Sequence, residues 1–283
     1  MICKAFAVCD AWYLDPAIVA LTSFMKYNSR SVQLRVYVEA GTNYQRLRRA
    51  LSDYPVGFLE VEFPKLPEHD GVRNAWSSAF FRREALPAFA QRIKAMEELR
   101  GSADLIVNLD LDTLTVGSLA PLLERCDTQH IYGVSERENR TRWMTAINAQ
   151  EIATMPAYFN TGMAIYGREA LEDDLLEKYR GFLREYGPRL YCPEQDFLNF
   201  AYADKIRSIP AGYNLMYTDR DYTNYAPVVL HFLGAYKPWS ATPPAVAKIS
   251  HYFARYYTEI YHLEVLNMLD KDFVKHCYYN SQF

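Results

Sequence analysis

Short apolar runs of strand length alternate with helical segments through the first part of the chain, and this alternation limits the possible folds more than any other feature. Strands are predicted at residues 2–8, 33–38 and 56–63, and helices between them at 16–25 and 43–51. Strands that alternate with helices form a mostly parallel sheet with helices on its faces. The pattern therefore predicts an α/β fold.

The strand predicted at residues 104–109 is rich in Val, Ile and Leu and lacks a helical period. A run that is apolar on both faces is typical of a central strand in a parallel sheet. Later strands are predicted at 130–134, 158–166 and 228–232, and later helices at 77–97 (disturbed at Pro87), 119–124, 168–186, 194–201 and 245–263. The helix at 168–186 has the clearest amphipathic stripe.

Composition excludes several classes of protein. The 283 residues are 50% hydrophobic and carry a net charge of −3, which is typical of a globular protein without a broad nucleic-acid surface. The five cysteines are scattered and include no Cys-x-x-Cys, so neither a zinc site nor a disulfide framework is predicted. A cytoplasmic location is expected. Asp10 and Asp15 interrupt the apolar N-terminus, which disfavours a signal peptide.

Two acids, Asp110 and Asp112, follow the strand at 104–109. On an extended chain they share one face, and Leu111 points back into the core. Their like charges resist burial unless a cation neutralises them. Mg²⁺ and Mn²⁺ prefer carboxylate oxygens, commonly together with substrate phosphates. An isolated Asp-x-Asp is a weak signal, and two solvated acids at a strand end are the alternative.

Four motifs strengthen the metal interpretation, because they occur together and in order. They are Asn108-Leu-Asp-Leu-Asp112, Tyr158-Phe-Asn-Thr-Gly-Met163, Cys192-Pro-Glu-Gln-Asp-Phe-Leu-Asn199 and His231-Phe-Leu-Gly-Ala-Tyr-Lys-Pro-Trp239. The set resembles glycosyltransferase family 8, whose motifs are Asp-x-Asp, Phe-Asn-[Ala/Ser/Thr]-Gly, Asp-Gln-Asp-x-Leu-Asn and His-[Phe/Tyr]-x-Gly-x-x-Lys-Pro-Trp. Four ordered matches over about residues 1–240 are a strong signal.

The resemblance implies a GT-A fold, with a mixed, mostly parallel central sheet flanked by helices. It also implies a catalytic domain over residues 1–240, with a nucleotide-sugar half at about 1–115 and an acceptor half at about 116–240. Residues 241–283 are expected to form a helical extension that docks on the core, or alternatively a weak peripheral membrane contact. The implied activity is metal-dependent, retaining transfer of a hexose from UDP-glucose or UDP-galactose to a glycan or glycoside acceptor.

By the same resemblance, Asp110, Asp112 and His231 would bind Mn²⁺ (or Mg²⁺), and this ion would bridge the diphosphate of the UDP-hexose. A Lewis acid there stabilises the charge that develops on the leaving group. Gly234 would let the backbone approach a phosphate, and Lys237 would supply a point charge to it.

The resemblance also assigns residues to the two ends of the donor. Asp10 would bind the uracil edge, and Trp12 or Tyr13 would stack on the base. Cys9 stands where many family members carry an acid. Asn160 and Gly162 would shape the sugar pocket.

Further donor contacts and the reaction centre follow from the same comparison. Arg82 would be a basic residue near the donor. Glu194, Gln195 and Asp196 correspond to the family's Asp-Gln-Asp beneath the anomeric carbon, with Glu in place of the first Asp. The amide of Gln195 is a poor nucleophile, which favours front-side substitution. A covalent double displacement through Asp196 or Glu194 is the alternative.

Other classes of protein fit less well. A non-catalytic sugar-nucleotide or glycan-binding module would not need two aspartates and a histidine together. A nucleotidyltransferase would need a Gly-rich basic loop, which residues 9–16 lack. The chain has no Gly-x-Gly-x-x-Gly motif, which disfavours a dehydrogenase.

Overall fold

The computed structural model describes residues 1–71, 85–136, 158–190, 192–216, 226–234, 237–239, 250–265 and 267–280. The strands are β1 (Cys3–Cys9), β2 (Gln33–Glu39), β3 (Val56–Val61), β4 (Leu105–Leu109), β5 (Thr113–Thr115), β6 (Ile131–Ser135), β7 (Phe159–Gly167), β8 (Ile206–Ser208), β9 (Leu215–Met216) and β10 (Val229–His231). The helices are α1 (Leu14–Asn28), α2 (Gln45–Ala50), α3 (Leu86–Arg100), α4 (Ala120–Leu123), α5 (Leu175–Tyr186), α6 (Pro193–Ala201), α7 (Ser250–Val265) and α8 (Lys271–Asn280).

Seven strands form the central sheet, in the order β3-β2-β1-β4-β7-β6-β8. All neighbouring pairs are parallel except those of β7, which runs antiparallel to both β4 and β6. The predicted mixed, mostly parallel α/β sheet is confirmed. Because β7 is reversed, its first residues lie at the same edge of the sheet as the last residues of β1 and β4.

A second, three-stranded sheet has the order β5-β10-β9. β10 runs antiparallel to β5, with His231 opposite Thr113, and the backbone N–H of Phe232 donates to the carbonyl of Asp112 at 2.9 Å. β5 and β9 were not predicted, since strands of two or three residues are too short to show a period. This small sheet brings residue 231 next to residue 112.

Side chains alternate along the central strands into two separate cores. In β1, Ala5 and Ala7 face the core covered by α1 and α2, whereas Phe6 and Val8 face the core covered by α3, α5 and α6. A sheet covered on both faces needs strands that are apolar throughout, and this is why β1 and β4 lack a polar face.

One predicted helix begins later than expected, and the predicted beginning of another lies outside the described residues. The helix predicted over 168–186 begins only at Leu175; the residues before it form turns, in which the N–H groups of Glu169 and Ala170 donate to the carbonyl of Thr128. The helix predicted over 77–97 is described from Leu86, with Pro87 in its first turn, where a proline is tolerated. Residues 72–84 lie outside the described part of the chain.

The C-terminal helices pack on the core that α1 and α2 cover. α7 buries Tyr256, Ile260 and Leu263 there. α8 was not predicted, and it follows a turn in which the N–H of Asp270 donates to the carboxylate of Asp15 at 2.8 Å. None of the helices that the structure describes is long and apolar enough to cross a bilayer. These contacts agree with the expectation that this segment docks on the core.

A buried amide joins α1 to the turn before α4. Asn28 is fully buried, accepts from the N–H of Leu119 at 2.7 Å and donates to the carbonyl of Phe24 at 3.0 Å. We expect Asn28→Leu to lower the free energy of unfolding by about 1–3 kcal/mol, because it removes the acceptor for a buried N–H. The matched control is Gln33→Leu, at an exposed position on β2, for which urea unfolding should show a change within about 0.5 kcal/mol. Equal effects of the two substitutions would contradict this account.

Candidate active site

Three side chains of metal-ligand type meet where β4 ends and the two sheets touch. Asp110 and Asp112 lie in the turn between β4 and β5, and His231 is the last residue of β10. The Nε2 atom of His231 lies 3.2 Å from Asp112 Oδ1 and 3.9 Å from Asp110 Oδ2. One potential ligand atom from each of the three residues lies within 4.8 Å of those from the other two. The structure therefore brings together the three residues predicted to bind a metal ion.

The two acids share one side for a different reason from the one predicted. The chain does not stay extended after Leu109; it turns, and β5 begins at Thr113. Leu111 is buried as predicted. The turn is held by the backbone N–H of Asp110, which donates to the carbonyl of Gly162 at 2.7 Å.

Gly162 lies directly beneath the ring of His231. A Cβ atom at this position would lie 2.1 Å from His231 Cε1 and 2.5 Å from Nδ1. Non-bonded carbon and nitrogen atoms do not approach so closely, so the histidine can occupy its position only because residue 162 has no side chain. Whether Gly162 also shapes a sugar pocket remains a prediction.

The side chain of Asn160 is 5% exposed and lies inside a hydrogen-bond network. Its Oδ1 accepts from the N–H of Gly162 at 2.8 Å and from Asn214 Nδ2 at 2.9 Å, and its Nδ2 donates to Glu136. Asn214 in turn lies 3.0 Å from His231 Nδ1 through its Oδ1. A role for Asn160 in binding sugar hydroxyls remains a prediction.

Gln195 and Asp196, at the start of α6, are both buried beside Tyr158. Gln195 Oε1 accepts from the N–H of Thr161 at 3.1 Å, and its Nε2 donates to the Tyr158 hydroxyl at 3.0 Å. Asp196 accepts from the same hydroxyl at 2.7 Å and from the N–H of Cys192 at 3.1 Å. These contacts fix both side chains next to the strand that carries Asn160.

Arg92, on α3, joins the metal-ligand cluster to the start of α6. Its guanidinium lies 2.6 Å from Asp110 Oδ1 and 3.2 Å from Glu194 Oε2, and its side chain is only 13% exposed. Its role cannot be recognised from the sequence, since one arginine in a helix carries no signal of its partners. Arg82, which the resemblance placed near the donor, lies outside the described residues.

Two carboxylates of the site have opposite pKa shifts. Burial raises the pKa of Glu194 from 4.5 to about 7, although Arg92 opposes the shift. Burial would also raise the pKa of Asp112, but Lys237 and His231 together hold it well below its usual range. Asp112 is thus ionised at neutral pH, while the charge of Glu194 depends on pH.

The loop after β1 lies close to the cluster. Asp10 caps a short 3₁₀ turn, Ala11–Tyr13, by accepting from the N–H groups of Trp12 and Tyr13 at 3.0 Å each. Trp12 is 72% exposed. Burial raises the pKa of Tyr13, and Asp112 adds to the shift, which places this ring in the field of the acids.

The last of the four motifs, which begins at His231, also contributes a lysine that contacts Asp112. Lys237 Nζ contacts the carboxylate of Asp112 and the carbonyl of Phe232. Gly234 has φ +66°, a left-handed conformation that favours glycine. The ring of Trp239 packs between those of Tyr13 and Tyr256, with centroid distances of 6.4 and 5.5 Å.

The chain belongs to glycosyltransferase family 8: the model described as "Glycosyl transferase family 8" matches residues 5–242. A lipopolysaccharide 1,2-glucosyltransferase from Escherichia coli is 27% identical over 166 residues, which cover 52% of this chain and 48% of that protein. The chain thus matches about half the length of this curated relative.

Solved glycosyltransferases share the fold. The galactosyltransferase LgtC, in complex with donor and acceptor sugar analogues, superimposes with a TM-score of 0.67 at 18% identity, over 94% of this chain and 100% of that one. The bifunctional glycosyltransferase WbbM gives 0.68 at 14% identity, over 100% and 52%. GlyE from Streptococcus pneumoniae gives 0.61 at 13% identity, over 94% and 64%. The predicted GT-A fold and the resemblance to family 8 are confirmed.

The close approach at Gly162 leads to a stability prediction. Gly162→Ala should lower the free energy of unfolding by about 1–3 kcal/mol, because the new methyl group forces the His231 ring or the strand to move. Gly57→Ala is the matched control, since a Cβ there meets no atom within 4 Å. Urea unfolding of both variants tests this, and the account is wrong if Gly162→Ala is as stable as the control.

The raised pKa of Glu194 predicts a pH dependence of stability. The folded protein holds the proton more tightly than the unfolded chain, so this group favours folding below pH 4.5 and loses that contribution as the pH rises to about 7. Its full size is up to about 3 kcal/mol. His69 titrates in the opposite sense, because burial lowers its pKa to about 4.

Comparison with Glu194→Gln isolates the contribution of this one group. We expect Glu194→Gln to become more stable relative to wild type as the pH rises. The difference in their unfolding free energies, measured in metal-free buffer from pH 4 to 8, tests this. His69 contributes equally to both proteins and cancels. A pH-independent difference would show that Glu194 titrates normally.

Proposed function

We propose that the chain is a metal-dependent retaining glycosyltransferase that transfers a hexose from UDP-glucose or UDP-galactose to a glycan or glycoside acceptor. The observation that carries the proposal is the convergence of Asp110, Asp112 and His231 at one edge of the sheet, in a chain of family 8. The segments that supply them are separated by more than a hundred residues, and the β5–β10 pairing joins them.

The ligand set fits a divalent cation of intermediate hardness. Asp110 and Asp112 offer carboxylate oxygens, which suit Mg²⁺ and Mn²⁺, while the imidazole of His231 favours Mn²⁺ over the harder Mg²⁺. A bound Mn²⁺ would stabilise the negative charge that develops on a diphosphate leaving group.

The surrounding charges favour a diphosphate once a cation is present. Arg92 lies against Asp110, and Lys237 lies against Asp112, so each acid already has a cationic neighbour. A divalent ion therefore adds net positive charge to a nearly balanced cluster, and a phosphate anion restores the balance. Lys237 and the left-handed turn at Gly234 provide the contacts to this anion.

The nucleotide would bind at the carboxyl end of β1. In folds of this kind, ligands bind where parallel strands end. The exposed ring of Trp12 and the ring of Tyr13, beside the acids, would form the stacking surface for uracil. Asp10 caps this turn and would bind the edge of the base.

The hexose would lie between the cation and the start of α6. Both oxygens of Asp196 accept hydrogen bonds, and the oxygen of Gln195 accepts one from Thr161. Such engaged atoms are weak nucleophiles, which supports front-side substitution. Glu194 Oε1 is buried and accepts no hydrogen bond from the described residues, so Glu194 is the nucleophile to test for a double displacement.

The central test measures UDP release from a panel of UDP-sugars with Mn²⁺ and with excess EDTA. Asp112→Asn should lower the Mn²⁺-dependent rate by at least about a hundredfold, because it removes a charged ligand of the cation. Asp53→Asn, an exposed acid in the connection before β3 at the opposite edge of the sheet, is the matched control and should keep full activity. NMR of the product should show the anomeric configuration of the donor.

Two results would overturn this proposal. Full activity of Asp112→Asn in excess EDTA would exclude the metal-dependent mechanism. Tight binding of UDP with Mn²⁺ but no release of sugar from any donor, with or without acceptors, would instead favour a non-catalytic binding module of the same fold.

A further inference from the structure

We infer that Asn160 and Asn214 form a hydrogen-bond relay, started by the backbone N–H of Gly162, that holds His231 in the tautomer with its proton on Nδ1 and its lone pair on Nε2. Nε2 then faces Asp110 and Asp112 as a ready metal ligand. The inference deepens the proposed function and rests on the metal site proposed above. Asn160 and Asn214 are positioning residues in this scheme.

The relay has a fixed starting point. The N–H of Gly162 is a backbone group and can only donate, so the Asn160 atom 2.8 Å away must be the oxygen. The NH₂ group of Asn160 therefore points the other way, where the carboxylate of Glu136 accepts from it. This orientation of Asn160 follows from the backbone, whatever the protonation state of Glu136.

The second step fixes Asn214. Its amide group faces Asn160 Oδ1 at 2.9 Å, and because that oxygen already must accept, the facing atom of Asn214 has to be the NH₂ group. Asn214 is fully buried, so no water can take over these contacts from outside. Its own oxygen consequently faces His231.

The third step fixes the imidazole. Asn214 Oδ1 lies 3.0 Å from His231 Nδ1, and an amide oxygen cannot donate, so Nδ1 must carry the proton. In a neutral ring the other nitrogen, Nε2, is then unprotonated. It lies 3.2 Å from Asp112 Oδ1 and 3.9 Å from Asp110 Oδ2, where a lone pair beside carboxylate oxygens is favourable only with a cation among them.

The same glycine serves both the ring and the relay. Gly162 leaves room for the imidazole, and its N–H orients the first amide. The relay also reaches the opposite side of the site, because Glu136 lies 3.5 Å from Gln195 Nε2. The orientation of the metal-ligating histidine is therefore linked to side chains at the start of α6.

Long-range ¹H–¹⁵N NMR of the histidine rings, in metal-free protein and mildly alkaline buffer, tests the tautomer directly. Wild type should show a proton on Nδ1 of His231, in a neutral ring as in an imidazolium, and the signals are assigned by their loss in His231→Gln. Asn214→Leu should remove this preference, because it takes away the acceptor. Asn28→Leu, which removes a buried amide outside the site, should keep it.

Mn²⁺ affinity gives an independent measurement that needs no substrate. Asn214→Leu should bind Mn²⁺ about tenfold to a hundredfold more weakly than wild type by titration calorimetry. Asn28→Leu is the control for loss of a buried amide, because its hydrogen bonds go to Leu119 and Phe24, outside the site. It should bind Mn²⁺ normally.

The outcomes separate this inference from the proposed function. If Nδ1 of wild-type His231 carries no proton, the relay is wrong, and this measurement does not depend on any variant folding. Normal Mn²⁺ binding by folded Asn214→Leu would also overturn it while leaving the metal site intact. If wild type binds no Mn²⁺, the proposed metal site itself fails.

Discussion

The site depends on the electrostatic problem of holding two carboxylates at the end of a buried strand. Cationic and hydrogen-bonding groups from distant parts of the chain offset the repulsion between Asp110 and Asp112. Arg92 arrives from α3, Lys237 from the loop after β10, and His231 from β10 itself. The reversed strand β7 begins at this edge of the central sheet, and the small second sheet lies beside it.

Much of this arrangement could be predicted from sequence. The α/β alternation predicts the central sheet, because strand length and apolar character are local properties. The four ordered motifs also predict that residues 110, 112, 160, 195 and 231 belong to one site. Strand length, apolar character and the four motifs can therefore be recognised from the sequence alone.

The partners of those residues could not be predicted in the same way. Arg92 is one arginine in an ordinary helix, and Glu136 and Asn214 stand in segments without a recognisable pattern. Each acquires its role from a contact across the sheet edge, more than a dozen residues away in sequence. The late start of α5 was not predictable from the local pattern either, because the turns before it contact Thr128, on a distant segment of the chain.

The packing of Trp239 joins parts of the protein that a sequence alignment would treat as separate. Its ring touches Tyr13 on one side and Tyr256 and Phe273 on the other, so the loop that carries Lys237 is seated on the two C-terminal helices. Chimaeras that exchange this C-terminal segment between relatives would therefore also replace the seat of that loop. Such exchanges need to keep the aromatic neighbours of Trp239 if Lys237 is to stay beside Asp112.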